Sequence, residues 1–353
     1  MMSTKEKKSN PPITGSGKQN TSLNFLWGPT VAGVIIAYLL YHRDYFLSND
    51  PPRKLTPEEK EMWKEALVEE RVHFHERICS PSSSTCFRIQ DIAYTIDEKL
   101  VIQRNMMIGD TPYSFSAAFL TVPTDIDQFN MDISKWKINK GDLVSSYAKV
   151  MVAFTLVMEG LAYTSSSIQD VLMIGLGGGV ISNFLSTVES AELNITTIEL
   201  DPTVRTIAAK WFHHEENDRN RVLIGDGTVF IMQEAEKGTK YKSIFLDACY
   251  TVCPAAVFLE EDVVKGTSRI LDDKGVLAIN VLTEMDKRKE QSQHVFESYK
   301  PHFASCFFFY VKSQQILLCS HRYNWTLDEQ NSLFMKKLEE VDRHFNFGFA
   351  SWT

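Results

Sequence analysis

Residues 171–182 read VLMIGLGGGVIS, and residues 195–204 read ITTIELDPTV. The first opens as an unbroken apolar run, the pattern of a strand buried on both faces. It breaks into Gly175-Leu176-Gly177-Gly178-Gly179 and resumes as a helix over VISNFLSTV. The second is another apolar strand, ending on Glu199, about 20 residues beyond the glycines. Strand, glycine turn, helix, strand and acid together open a Rossmann-like α/β unit.

The same alternation continues downstream. Pro202 to Phe212 reads as a helix, RVLIG as a strand, and Thr228 starts a second helix. YKSIFLD is a strand, Ala256 to Ile270 a helix, GVLAINVL a strand, and Glu284 to Tyr299 a helix. FFFYV and QILLCS close the set as a hairpin, and Leu327 to Asn346 reads as a surface helix. Alternating strands and helices build a parallel sheet covered on both faces, here with an antiparallel edge hairpin. The expected fold is a doubly wound α/β sheet spanning residues 166–353.

Five polar features fall at successive strand ends, where open α/β sheets hold their ligands. Gly175 to Gly179 let the backbone turn tightly and approach a ligand closely. Glu199 can accept both hydroxyls of a ribose. Asp201 follows it at a helix start, where capping is its bland role. Asp226, in Gly225-Asp226-Gly227, can accept from an exocyclic adenine amine. Asp247 ends the fourth strand. Any one of these acids could be an ordinary cap; all of them in order point to an adenosyl cofactor. A nicotinamide fingerprint would read Gly-x-Gly-x-x-Gly, whereas Val180 and Ile181 follow the glycines here.

VLMIGLGGG, IELDPTV, AAKWF, IGDGTVFI and IFLDA resemble two related families. One is the spermidine/spermine synthases, the other the methyltransferase-like proteins that share the synthase fold, of class I methyltransferase type. The resemblance covers Val171 to Leu282 and extends weakly back through the β region over Cys86 to Asp125 and the helix that contains Tyr147. It implies S-adenosylmethionine as cofactor, with Glu199 on the ribose, Asp226 and Gly227 at the adenine, and Gly175, Gly177, Gly178 and Gly179 at the amino-acid end. Two departures separate the families. Synthases carry an acid in the glycine loop, where this chain has Gly178. They also carry a second acid in an Asp-x-x-Asp-Pro run, where this chain reads Asp247-Ala248-Cys249-Tyr250-Thr251. A loop carboxylate would repel the carboxylate of S-adenosylmethionine at close range, so its absence suits the methyl donor. A diamine substrate needs anionic partners that are missing here.

The expected reaction is therefore methyl transfer, in which the protein mainly binds and positions an already activated donor. Asp247 is the candidate catalytic residue, expected to position donor or acceptor more than to act as a base. Tyr250 and Phe258 are candidate walls of an acceptor pocket. An aminopropyltransferase and a degenerate, non-catalytic relative remain the alternatives. The acceptor, protein or small molecule, is not readable from the sequence. Proteins of this fold often dimerise, so a homodimer is an open expectation. No metal is expected: His73, His75, His213 and His214 lack partners at ligand spacing and read as surface residues, and Cys249-x-x-x-Cys253 is not a zinc signature.

The region before residue 166 differs. The chain has 353 residues, 44% hydrophobic and 23% charged, with net charge −8, which argues against broad nucleic-acid binding. Residues 1–22 form a polar tail with four lysines and several helix breakers, expected to be disordered. Leu23 to Tyr41 carries no charge and is long enough to span a bilayer, with Trp27, Tyr38 and Tyr41 near its ends. The lysine bias favours a cytoplasmic N-terminus and a lumenal or extracellular catalytic domain. The sequons Asn194-Ile195-Thr196 and Asn324-Trp325-Thr326 agree. So do six cysteines in near pairs, Cys79 with Cys86, Cys249 with Cys253 and Cys306 with Cys319. Residues 55–165 are expected to hold a helix from Thr56 to about Ile78, a small β region over Cys86 to Asp125, and a helix from Leu143 to Leu161.

Overall fold

The computed structural model describes residues 54–349 apart from 112, 128, 250–251 and 312–313. The expected span at 23–41 and the tail before it lie outside the described residues, and no described helix is long and apolar enough to cross a membrane.

The described chain opens with α1 (Pro57–Glu70). Thr56 and Glu59 close a reciprocal capping box there, with Pro57 at the first helical position. Four antiparallel strands follow in the order β1 (Val72–Cys79), β2 (Cys86–Ile96), β3 (Lys99–Ile108) and β4 (Ser114–Phe119). The sequence reading carried α1 on to Ile78. Instead the chain turns at Arg71, which takes a positive φ of 60°, and VHFHERIC becomes the edge strand β1. Its apolar residues Val72, Phe74 and Ile78 alternate at the period of a strand, and pairing with β2 supplies the ladder that α1 could not.

The second sheet has seven strands in the order β10-β11-β9-β8-β5-β6-β7. These are β5 (Ser165–Ile174), β6 (Ala191–Glu199), β7 (Asn220–Ile224), β8 (Tyr241–Leu246), β9 (Leu271–Val281), β10 (Ser305–Val311) and β11 (Gln314–Ser320). The five from β5 to β9 pair in parallel, and β10 and β11 form the antiparallel edge hairpin. The chain starts in the middle at β5, runs outward through β6 and β7, then returns to β8 on the other side. The order therefore reverses between β5 and β8, the switch point where doubly wound sheets open a crevice.

Helices cover both faces: α2 (Ser146–Val157), α3 (Val180–Leu185), α4 (Pro202–Phe212), α5 (Gly227–Lys237), α6 (Glu261–Ile270), α7 (Arg288–Tyr299) and α8 (Asn331–Phe345). The expected helix over 256–270 is split, a short 3-10 turn at Ala256–Leu259 preceding α6. The expected surface helix at the end is docked: Phe334 of α8 is fully buried, in the same core cluster as Met151 and Phe154 of α2. One core cluster on each face of the seven-stranded sheet follows from strands that are apolar on both sides. A third cluster joins Phe87, Ile89 and Met106 of the smaller sheet to Ile207 and Phe212 of α4 and to Leu176 of the glycine loop. The smaller sheet is thereby fixed directly beside the switch point.

Candidate functional site

Every residue named for the site from the sequence lies at the carboxyl end of β5, β6, β7 or β8. The backbone ties these ends together. Gly175 N–H donates to Ile198 at 2.9 Å, Gly225 N–H to Glu199 at 2.9 Å, and Asp247 N–H to Ile174 at 2.9 Å.

The glycine loop packs closely on its protein neighbours. Gly175 has φ +95°, and a Cβ there would lie 2.3 Å from the Asp247 carbonyl oxygen. A Cβ on Gly178 would lie 2.8 Å from the Phe212 ring, and one on Gly179 would meet His214 at 2.5 Å. Gly177 faces Ser116 of β4, whose hydroxyl accepts from the Gly178 amide at 2.9 Å. Ser116 was not legible in the sequence, because only the third core cluster brings β4 onto the loop. The helix after the loop has six residues, too short for its dipole to matter much. What the loop offers a ligand is backbone with no side chain at four of its five residues.

Glu199 is almost fully buried, 8% exposed, at the end of β6. Its carboxylate accepts from Leu176 N–H at 2.9 Å through Oε2 and from Asp201 N–H at 2.9 Å through Oε1. Burial pushes its pKa up, opposed by these two hydrogen bonds. Asp201 caps α4, accepting from Thr203 N–H at 2.9 Å, and accepts from Ser83 Oγ at 3.0 Å; it has the structural role weighed against it. Asp226 is exposed and caps α5. It accepts from the Thr228 amide and hydroxyl, both at 2.7 Å, and the hydroxyl bond leads in holding its pKa below the ordinary value. Gly227, the next residue, packs on Ile174: a Cβ there would lie 2.7 Å from its methyl group.

Asp247 is held by side chains from two other elements. Tyr147 of α2 donates to its Oδ2 at 3.1 Å, and Asn280 of β9 donates to its Oδ1 at 2.8 Å. Burial raises its pKa, and the two hydrogen bonds oppose the rise. Burial first, then the adjacent carboxylate, pushes the Tyr147 phenol well above its ordinary value. Asn280 is held in turn by Gln314, which donates to it at 3.2 Å. Sequence reasoning placed Tyr147 on a helix face without a role and passed over Asn280; neither has a local signature, since both reach Asp247 across the fold.

Cys249 and Cys253 form a disulfide immediately after Asp247. Asp247, Cys249 and Cys253 hold ligand-type atoms within 4.8 Å of one another, but both sulfurs are spent on the disulfide. Phe258, considered as a pocket wall, belongs to the core cluster beneath β8 and is 6% exposed. Tyr250 lies outside the described residues. The histidines read as surface residues are structural: His75 stacks on Trp211 and contacts Asp91 at 2.8 Å, and His214 is buried against Ser182 at 3.0 Å. His73 and His213 are half-buried, and His213 Nδ1 accepts from the Ile138 amide. A cleft of about 510 Å³ lined by Ser165, Gln169, Lys242, Lys274 and Lys337 opens at the opposite end of the sheet, away from this chemistry.

The strand order, the switch-point acids and the glycine loop coincide with a match to the spermine/spermidine synthase domain over residues 147–328, just over half of the chain. The chain belongs to the spermine/spermidine synthase domain family. It is 30% identical over 155 residues to the eEF1A lysine and N-terminal methyltransferase of Danio rerio, covering 41% of this chain and 22% of that protein. It is also 30% identical over 128 residues to a polyamine aminopropyltransferase of Vibrio vulnificus (strain CMCP6), covering 36% of this chain and 42% of that protein. The chain thus spans about a fifth of the first relative and under half of the second. A probable spermidine synthase from Corynebacterium glutamicum ATCC 13032 shares the fold, with TM-score 0.55 and 14% identity over 77% of this chain and 92% of that one. The family thus contains relatives named for both group transfers, so the choice between them rests on this chain's own residues.

Proposed function

We propose that this chain is an S-adenosylmethionine-dependent methyltransferase acting on an amine of a protein acceptor and held at a membrane by Leu23 to Tyr41. The observation that carries the reading is the loop at Gly178. No side chain fits there, because Phe212 fills the space a Cβ would need. The acid expected of a synthase at this position is therefore absent together with the room for it. A donor bearing its own carboxylate meets no opposing charge from that position.

The residues present suit the adenosyl cofactor. Glu199 is a buried acceptor at the ribose position, Asp226 an exposed acid at the adenine position, and the loop a glycine turn packed too tightly on its neighbours for a Cβ. When bound, the cofactor supplies a methyl group already activated on a sulfonium. Asp247, fixed by Tyr147 and Asn280, is then a carboxylate of set orientation beside the loop. It can hold an ammonium group, and its raised proton affinity suits it to take up an amine proton. The Danio rerio relative is named for lysine and N-terminal methylation, both amine chemistries, which supports a protein amine as acceptor.

Calorimetric titration of the chain with S-adenosylmethionine and its decarboxylated form tests the reading. The expected result is preference for S-adenosylmethionine, with at least tenfold weaker binding in Glu199→Ala. Preference for the decarboxylated donor would replace it with aminopropyl transfer, and binding of neither would leave a non-catalytic relative.

A further inference from the structure

We propose that Asn324 carries an N-linked glycan and that the described domain matures in an oxidising, lumenal compartment. The chain contains three acceptor sequons, at Asn20, Asn194 and Asn324; Asn20 precedes the expected span, on the side that the lysine bias makes cytoplasmic, and the fold separates the other two. Asn194 lies inside β6, between β5 and β7, and its amide nitrogen donates to Asp170 of β5. A sugar on that nitrogen would break the bond and press on a neighbouring strand of the parallel sheet. Asn324 lies in the turn between β11 and α8, is exposed, and has φ +53°, a conformation asparagine tolerates. Gln330 holds its backbone carbonyl at 2.9 Å, so the turn is ordered while the residue faces solvent.

The cysteines give an independent argument. All six are paired, as Cys79–Cys86, Cys249–Cys253 and Cys306–Cys319, with none free. The first and third pairs join directly opposed residues of antiparallel strands, with Cα atoms 3.9 and 4.2 Å apart. Exclusive pairing of this kind belongs to oxidising compartments, since cytosolic thiols are kept reduced. Each bond forms as two thiols give up two protons and two electrons to a disulfide-bearing protein oxidant. The lysines of residues 1–22 place the rest of the chain on the same side by charge bias.

The modification is a group transfer from a lipid pyrophosphate oligosaccharide. Nδ2 of Asn324 bonds to the anomeric carbon, the carbon–oxygen bond to the pyrophosphate breaks, the pyrophosphate keeps the electron pair, and the amide releases one proton. A lumenal site also means that methyl donor and acceptor must meet in that compartment.

The full chain, expressed in insect cells, tests this by gel mobility with and without N-glycosidase, by glycopeptide mass spectrometry, and by thiol alkylation under denaturing, non-reducing conditions. Wild type and Thr326→Ser, which keeps the sequon, are expected to lose one glycan on treatment. Asn324→Gln should show none, and no thiol should be alkylated. An unchanged wild type, a glycan that persists in Asn324→Gln, or free thiols in the folded chain would each overturn the proposal.

Discussion

At Asp247 the fold holds a carboxyl where its charge is costly. The group is shielded by burial, and the hydroxyl of Tyr147 and the amide of Asn280 only partly compensate. Its pKa rises above the ordinary 3.8, so between that value and the folded one the folded chain binds more protons than the unfolded chain. This group's contribution to stability therefore falls as pH rises through that window and is unimpaired below it. A carboxamide in its place would offer one acceptor and one donor to the same two partners without a charge. Asp247→Asn should accordingly be more stable than wild type at pH 7, and the difference should shrink toward pH 4. Denaturant titrations of both proteins at several pH values measure it; a difference independent of pH would contradict a raised pKa. If the proposed methyl transfer is this chain's activity, the same variant should lose most of it, a gain in stability at the expense of function.

The glycine loop shows how an element is fixed by its neighbours. Its turn was legible from residues 175–179, but what surrounds it was not. Ser116 arrives from β4, Phe212 and His214 from α4 and the residues just beyond it, and Asp247 from β8. Gly177 has φ +54°, and a Cβ would lie 2.6 Å from the Ser116 hydroxyl. Gly177→Ala should cost about 1–3 kcal/mol from backbone strain and weaken donor binding more than tenfold. A thermal melt and a calorimetric titration on the same sample separate the two effects. Strand β1 makes the opposite point. Its helix-like neighbour and charged residues hid the period of two, and only the ladder with β2 makes VHFHERIC a strand. Likewise α8 looked like a surface helix until Phe334 found its pocket against α2.

Across the whole molecule, one buried ion pair ties the two sheets together. Arg104 of β3 and Asp91 of β2 are both fully buried and joined by two hydrogen bonds of 2.9 Å. Arg104 also donates to the carbonyls of Trp211, Ile133 and Ser134, so its charge is satisfied by both halves of the fold. Such a pair adds little net stability over an apolar replacement, but removing one partner strands the other. Asp91→Ala should therefore destabilise the chain by about 3–5 kcal/mol, measured by denaturant unfolding. Donor binding should weaken with it, because Ser116 reaches Gly178 only while the smaller sheet stays in place.

The sequence by itself determined the doubly wound sheet, the edge hairpin, the glycine loop and the acids at the strand ends. Those are local properties: apolar runs, turn residues and caps carry their own periods and spacings, and the carboxyl ends of parallel strands must share one edge. The near pairing of the cysteines was legible for the same reason, since each pair is close along the chain. Tertiary structure alone decided which side chains meet Asp247, why Gly178 has no room for an acid, and which sequon is exposed. Tyr147 and Asn280 lie 100 and 33 residues from Asp247, and contacts made over such separations leave no pattern in either segment. They exist because packing two sheets and their helices into one core leaves a single arrangement in which α2, β4 and β9 converge on the switch point.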